Sequence, residues 1–205
     1  MLIFKEKLPK SNRTAIIAKI EQVAKNLGID PNWLMAVINF ETAGSFSTSI
    51  QNPFSKATGL IQFMPDTARS LGTSIEALAQ MDFSTQLDYV ERYYRPYRSR
   101  INGFVDLYLA TFFPLAIGKP DNWVLQTKTI SAKKIADQNP VFNDGGKVTV
   151  GSIKKGLLSK IPAQYAVHLV GQNKEFIGLV VVVVLGIVFY KPIKKYVQQQ
   201  FKKVA

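Results

Sequence analysis

Cysteine is absent from this chain of 205 residues, and histidine occurs once, as His168. The lack of cysteine excludes disulfide bonds and thiolate metal sites. A single histidine excludes a histidine-rich metal centre, and it excludes a Ser-His or Cys-His dyad in the body of the chain. We therefore expect no metal site and no cofactor.

Acidic residues are scarce. The chain has 14 Asp and Glu residues against 26 Lys and Arg residues, which gives a formal net charge of +12. Such a balance indicates an anionic partner or surface, or else a basic face that is simply solvated. The sequence has no zinc-finger spacing, basic heptad or RNP pattern, so we expect no specific nucleic acid as a partner.

Strand patterns are few, and there is no internal repeat. Only Lys147 to Val150 could form a strand, whereas apolar residues recur at helical spacing, as at Ile16, Ile20 and Val23. The pattern predicts an all-α fold, with one compact domain of short helices over residues 1–160.

Long apolar runs are limited to one, Phe176 to Tyr190, which has neither a charge nor a proline. At 1.5 Å per residue it spans ~22 Å, slightly less than the ~30 Å of a bilayer's hydrocarbon core. We predict a linker over residues 161–175, a transmembrane helix over 176–190 and a basic tail over 191–205. The lysines of the tail favour the cytoplasmic side for it and the opposite side for the domain. A buried core segment is the alternative.

One carboxyl group lies at the end of an apolar predicted helix. Glu41 ends this helix close in sequence to Trp33, Ile38 and Phe40. Apolar neighbours would desolvate the carboxyl and raise its pKa, as a general acid requires. A solvated glutamate at a helix end is the alternative.

A second carboxylate, which most glycoside-cleaving enzymes use, is not obvious. Asp66 follows a proline at a predicted helix start, where the helix dipole favours an acid, so capping explains its presence. Asp66 and Asp106 are the positions at which a partner carboxylate would be sought.

Two motifs resemble the soluble lytic transglycosylase family, whose fold is similar to that of goose-type lysozyme. The first is Glu41-Thr42 at the end of the apolar helix, and the second is ATGLIQFMP over residues 57–65. Their order and separation fit the family pattern over roughly residues 25–72. The resemblance implies a lysozyme-like all-α domain that acts on the glycan strands of peptidoglycan.

The resemblance also implies a mechanism and a set of site residues. Glu41 would protonate the leaving oxygen of a MurNAc-β-1,4-GlcNAc bond and then act as base on the C6 hydroxyl, which closes a 1,6-anhydro ring. Gly59 would let the backbone approach the sugar, and Gln62 would line the sugar site. The implied substrate-binding residues are Thr42, Gly59, Leu60, Gln62, Phe63 and Met64. We expect residues 60–63 to form a short helical turn.

A third family motif, Ala-Tyr-Asn-Ala-Gly, is incomplete here. The corresponding stretch runs from Tyr108 to Gly118, lacks the asparagine and has Phe113-Pro114 at the aligned place. We expect Tyr108 to be a substitute partner near Glu41 in substrate binding. A core aromatic residue is the alternative.

The two ends of the sequence suggest where the protein is located. Residues 2–4 form too short an apolar run for a signal peptide, and the predicted anchor lies near the other end. This favours a membrane-associated phage virion enzyme that opens the host wall for genome delivery, with other virion proteins as partners. The alternatives are a bacterial membrane-anchored enzyme facing the periplasm, a lysozyme-type muramidase, and a non-catalytic, membrane-anchored virion structural protein.

Overall fold

The computed structural model describes residues 1–169. The chain divides after Lys160 into a unit of residues 1–160 and a second unit that begins at Ile161. The helices of the first unit are α1 (Arg13–Leu27), α2 (Pro31–Glu41), α3 (Pro65–Ser70), α4 (Ile75–Gln80), α5 (Phe83–Tyr94), α6 (Phe104–Phe112), α7 (Ala132–Gln138) and α8 (Val150–Ser159). Short 3-10 segments occupy Lys5–Lys7, Arg95–Arg100 and Pro114–Ala116.

No strand forms within residues 1–169, so the all-α prediction is confirmed for that part of the chain. Isolated bridges pair single residues, among them Val124 with Thr149 and Asp144 with Lys147. Lys147 to Val150, the stretch with the strongest strand pattern, takes part in such bridges and then enters α8.

Local chemistry explains where α2 begins and where α1 ends. The Asp30 carboxylate accepts a hydrogen bond from the Asn32 backbone N–H at 2.7 Å, and Pro31 fills the first helical position. Both are preferred at helix starts because the first N–H groups of a helix lack partners within it. Gly28 ends α1 in the left-handed conformation, with φ +71°.

Helix α2 lies in the core of the first unit. Residues 34–38 are all 0 % exposed, and α2 packs against α1 on one side and α6 on another, while α1 also packs against α5. An apolar helix that is covered on most faces must be central. Its last residue, Glu41, is therefore held at the end of a rigid and largely dehydrated element.

The second unit is described only over residues 161–169, and it contains the short helix α9 (Ala163–Ala166). None of the helices formed by residues 1–169 has the length and apolar character that a bilayer span needs. The predicted transmembrane helix over 176–190 and the basic tail over 191–205 lie outside the described residues.

Candidate active site

Thr42 fixes the path of the chain immediately after Glu41. Its hydroxyl donates to the Ile38 carbonyl at 2.6 Å and accepts from the Phe46 N–H at 3.1 Å. Gly44 then turns the chain with a φ of +80°. Thr42 is fully buried, so its hydroxyl is used within the fold and holds the end of α2.

The Glu41 carboxyl is desolvated, and no residue in the described part of the chain stabilises it. The residue is half-buried, and no hydrogen bond or ion pair from residues 1–169 reaches the carboxyl. Burial alone raises the pKa of Glu41 from its ordinary value of 4.5 to about 8. A carboxyl in this state is mostly protonated at neutral pH and can donate a proton.

Three phenols, one half-buried and two buried, lie within electrostatic reach of Glu41. Burial raises the pKa of Tyr93, Tyr94 and Tyr108, and the Glu41 charge raises each further. Tyr93 donates to the Ala110 carbonyl at 2.9 Å, and Tyr94 shares a 2.6 Å hydrogen bond with the Thr111 hydroxyl. The Tyr108 hydroxyl has no partner within residues 1–169, so of these three phenols it alone keeps a hydroxyl available to a ligand or to Glu41.

Four rings form an aromatic wall beside the end of α2: Phe40, Tyr108, Phe112 and Phe142. Phe40 meets Tyr108 edge-on at 5.2 Å between centroids and stacks on Phe142 at 5.8 Å. Phe112 contacts both Tyr108 and Phe142. In α8, a Cβ added to Gly156 would lie 2.6 Å from Phe142 Cδ1, so that glycine leaves the space which the ring fills. The expectation that Tyr108 is a core aromatic and the expectation that it lies near Glu41 are thus both compatible with its position.

The second motif forms a closed loop. Thr58 and Phe63 exchange backbone hydrogen bonds of 3.0 and 2.8 Å around residues 59–62, with Gly59 and Gln62 at φ +80° and +51°. The helical turn expected over residues 60–63 is therefore wrong, because a left-handed residue inside that stretch cannot continue a right-handed helix.

Gln86 of α5 anchors this loop, although it belongs to neither of the two motifs. Its side chain is fully buried, accepts from the Leu60 N–H at 2.7 Å and donates to the carbonyls of Thr48 and Leu78 at 3.0 and 2.8 Å. A Cβ on Gly59 would lie 2.4 Å from Gln86 Oε1. The structure thus requires Gly59 for its left-handed φ and for this contact, whereas close approach to a sugar stays a prediction.

Two of the predicted substrate-binding side chains in the loop reach the surface. Gln62 is half-buried and its Nε2 donates to the carbonyls of Gly59 at 3.1 Å and Ile50 at 3.3 Å, which leaves Oε1 as an unused acceptor within residues 1–169. Met64 is 48 % exposed. The other predicted residues, Thr42, Gly59, Leu60 and Phe63, are buried and frame the loop and helix end.

Residues 18–97 match the family model of the transglycosylase SLT domain. We call these residues the SLT segment. It contains Glu41, the loop over 59–62 and Gln86, and it ends before α6. No curated protein matches the chain. The match supports an enzyme of the lytic transglycosylase type that acts on peptidoglycan.

The acids considered as partners for Glu41 are engaged in local structure. Asp66, in the SLT segment, forms an exposed ion pair with Arg69. Asp106 accepts from the N–H groups of Asn102 and Gly118, both at 3.0 Å, and so holds the start of α6. Within the described part of the chain, no three His, Asp or Glu side chains form a group that could hold a metal ion.

Proposed function

We propose that the chain is a peptidoglycan lytic transglycosylase in which Glu41 is the single general acid and base. The observation that supports this is the state of the Glu41 carboxyl, whose pKa burial raises to about 8. A proton donor must be protonated at the working pH, and an ordinary carboxyl would be ionised there.

In the proposed reaction, Glu41 gives its proton to the glycosidic oxygen of a MurNAc-β-1,4-GlcNAc bond as the bond from that oxygen to C1 breaks. The substrate N-acetyl group assists at C1 as positive charge develops. The Glu41 carboxylate then removes the proton of the C6 hydroxyl, whose oxygen bonds to C1 and closes a 1,6-anhydro ring. Glu41 ends the cycle protonated, so the reaction consumes no water and needs no second carboxyl group.

Tyr108 supports the second half of this cycle. Once Glu41 has given up its proton, the carboxylate is unstable in its dehydrated surroundings. The Tyr108 phenol is protonated, lies within the reach of the Glu41 charge and has an unused hydroxyl. A hydrogen bond from it would stabilise the carboxylate until the C6 proton arrives.

A lysozyme-type hydrolase is the second candidate, and the placement of the acids argues against it. A hydrolase of this kind needs a second carboxylate to hold the attacking water or the developing charge. Asp66 is paired with Arg69, and Asp106 holds the start of α6. Neither is left as an unpartnered carboxylate that could take this role.

Mass spectrometry of the digestion products separates the two reactions. Purified peptidoglycan is incubated with the full chain, and the muropeptides are then analysed. We expect 1,6-anhydro-muramic ends. Reducing ends would overturn the transglycosylase and favour the hydrolase.

A non-catalytic structural protein is the third candidate, and the incomplete third motif is the feature that favours it. A zymogram with embedded peptidoglycan tests it. We expect clearing by the wild-type chain and none by Glu41→Gln, which keeps the size of the side chain and removes its acid. Absence of clearing by the folded wild-type chain would favour the structural candidate.

We also propose that the chain is attached to a membrane and acts in a phage virion during genome delivery. The support is the apolar run of residues 176–190 with the lysines that follow it. Flotation of the full chain with anionic lipid vesicles tests the attachment, and detection of the chain in purified virions tests the setting. Recovery in the soluble fraction would contradict the attachment. Recovery in a membrane that faces the periplasm of uninfected bacterial cells would contradict the virion setting.

A further inference from the structure

A groove of about 360 Å³ lies beside the end of α2, on the side of Asn39 and Phe40. Its lining includes Lys7, Asn39, Phe40, Gly44, Val141 and Lys160. Lys7, Val141 and Lys160 come from outside the SLT segment. The groove is therefore a feature that the family match does not account for.

Lys7 is held in place in this groove. Its ammonium group donates to Asn39 Oδ1 at 2.9 Å and lies 5.0 Å from the centroid of the Phe4 ring. A Cβ on Gly44 would lie 2.9 Å from the same ammonium group, so the glycine leaves it room. The cation is thus positioned by neighbours that leave its charge unneutralised.

As far as residues 1–169 line it, the groove offers donors of hydrogen bonds and no acid. The ion pairs of residues 1–169 involve neither Lys7 nor Lys160. Because Asn39 uses Oδ1 to accept from Lys7, its Nδ2 remains a donor. Two ammonium groups and an amide N–H suit a carboxylate, whereas the hydroxyls of a neutral sugar also need acceptors.

Phe40 connects the groove to the candidate acid. It precedes Glu41 in α2, lines the groove, and contacts the Tyr108 ring at 5.2 Å between centroids. With Val141, which is 52 % exposed, it supplies apolar surface beside the two lysines. A ligand with a carboxylate next to methyl or methylene groups matches this combination.

We propose that the groove binds a carboxylate of the short stem peptide attached to the muramic-acid sugar of the glycan strand. The proposal rests on the proposed function, which identifies the strand as peptidoglycan. It adds that the chain binds the stem peptide as well as the glycosidic bond that reacts. Lys7 and Lys160 receive the carboxylate, Asn39 donates to it, and Phe40 and Val141 contact the neighbouring side chains of the peptide.

A binding experiment tests the groove without depending on catalysis. The full chain carrying Glu41→Gln is titrated by calorimetry with a stem tetrapeptide that has free carboxylates, and with the same peptide fully amidated. We expect the free peptide to bind at least tenfold more tightly. Adding Lys160→Met, which removes an exposed cation, should weaken its binding about tenfold, whereas Lys128→Met, at another exposed position, should not.

Equal binding of the two peptides, or equal effects of Lys160→Met and Lys128→Met, would overturn the proposal. Peptide binding is also measured for Lys7→Met. Its thermal unfolding is recorded as well, because Lys7 donates a hydrogen bond to Asn39 and its loss could affect the fold. If Lys160→Met weakens peptide binding while wild-type chain cleaves nothing, the groove stands and the proposed function fails.

An activity experiment on the otherwise wild-type chain provides the complementary test. The value of kcat/KM is measured on glycan strands that carry peptides and on strands from which an amidase has removed them. We expect Lys160→Met to lower the ratio of the two values about tenfold and Lys128→Met to leave the ratio unchanged. An unchanged ratio in Lys160→Met would exclude a role for the groove in substrate choice.

Discussion

The loop over 59–62 and the end of α2 each hold a polar side chain, and the two side chains differ in how many hydrogen bonds they make. Gln86, beneath the loop, is fully buried and makes three hydrogen bonds. Glu41, at the end of α2, makes none within residues 1–169, and its pKa is raised. A satisfied buried group stabilises a fold, whereas an unsatisfied one destabilises it and is typically kept for chemistry. Gln86 therefore stabilises the loop, and the end of α2 is the place that we propose for catalysis.

The largest expected effect is on activity at the end of α2. Glu41→Gln removes the group that gives and takes the proton, so kcat should fall by about 10²–10⁴-fold. The melting temperature should not fall, because the Glu41 carboxyl has no hydrogen bond or ion pair within residues 1–169 that the substitution would remove. A variant that keeps wild-type kcat would contradict the assignment of the acid.

The next largest effect is on stability at the loop. Gln86→Leu leaves the Leu60 N–H and the Thr48 and Leu78 carbonyls without their partner, so the free energy of unfolding should fall by about 3 kcal/mol. Urea unfolding measures this. Gln80→Leu, at an exposed position of α4, is the matched control and should change the value by less than about 0.5 kcal/mol. If the two substitutions lower the free energy of unfolding equally, the hydrogen bonds of Gln86 do not stabilise the loop.

A smaller effect concerns pH and stability. Between about pH 4.5 and 8 the folded chain keeps the Glu41 proton, which the unfolded chain releases. The contribution of this group to stability therefore falls as the pH rises through that window. Relative to pH 4, Glu41→Gln should gain about 2 kcal/mol over the wild type at pH 6, and more at higher pH. Parallel stability profiles for the two chains would show that Glu41 titrates normally.

The smallest effect is expected at the phenol beside the acid. Tyr108→Phe keeps the ring contacts of the aromatic wall and removes the hydroxyl, so kcat should fall about tenfold while stability is unchanged. Tyr89→Phe, which removes a phenol at the surface of α5, is the control. If kcat responds equally to both substitutions, Tyr108 has no special part in the cycle.

Local signals in the sequence were sufficient for the helices and for the candidate acid. Asp30-Pro31 and Gly28 mark helix ends through backbone chemistry that involves only near neighbours. The apolar residues of α2 place Glu41 at its end without any knowledge of the remaining chain. The SLT match covers residues 18–97, which include both motifs.

Features that depend on distant contacts could not be predicted. The loop over 59–62 is shaped by a hydrogen bond from Gly59 to the Ile50 carbonyl and by Gln86, and neither follows from the spacing of the motif. A polar residue on the inward face of α5 was the available signal for Gln86. Phe142 and the groove that joins Lys7 to Lys160 had no such signal, because the sequence does not show which remote segments meet.

The four rings of the aromatic wall are widely separated in the sequence, so the wall is completed late during synthesis of the chain. Phe40 is synthesised first, Tyr108 and Phe112 follow, and Phe142 comes after the whole SLT segment. Until Phe142 and Gly156 have emerged, the wall lacks one of its four rings. The surroundings of Phe40, the residue before Glu41, are therefore complete only when the last part of the first unit has folded.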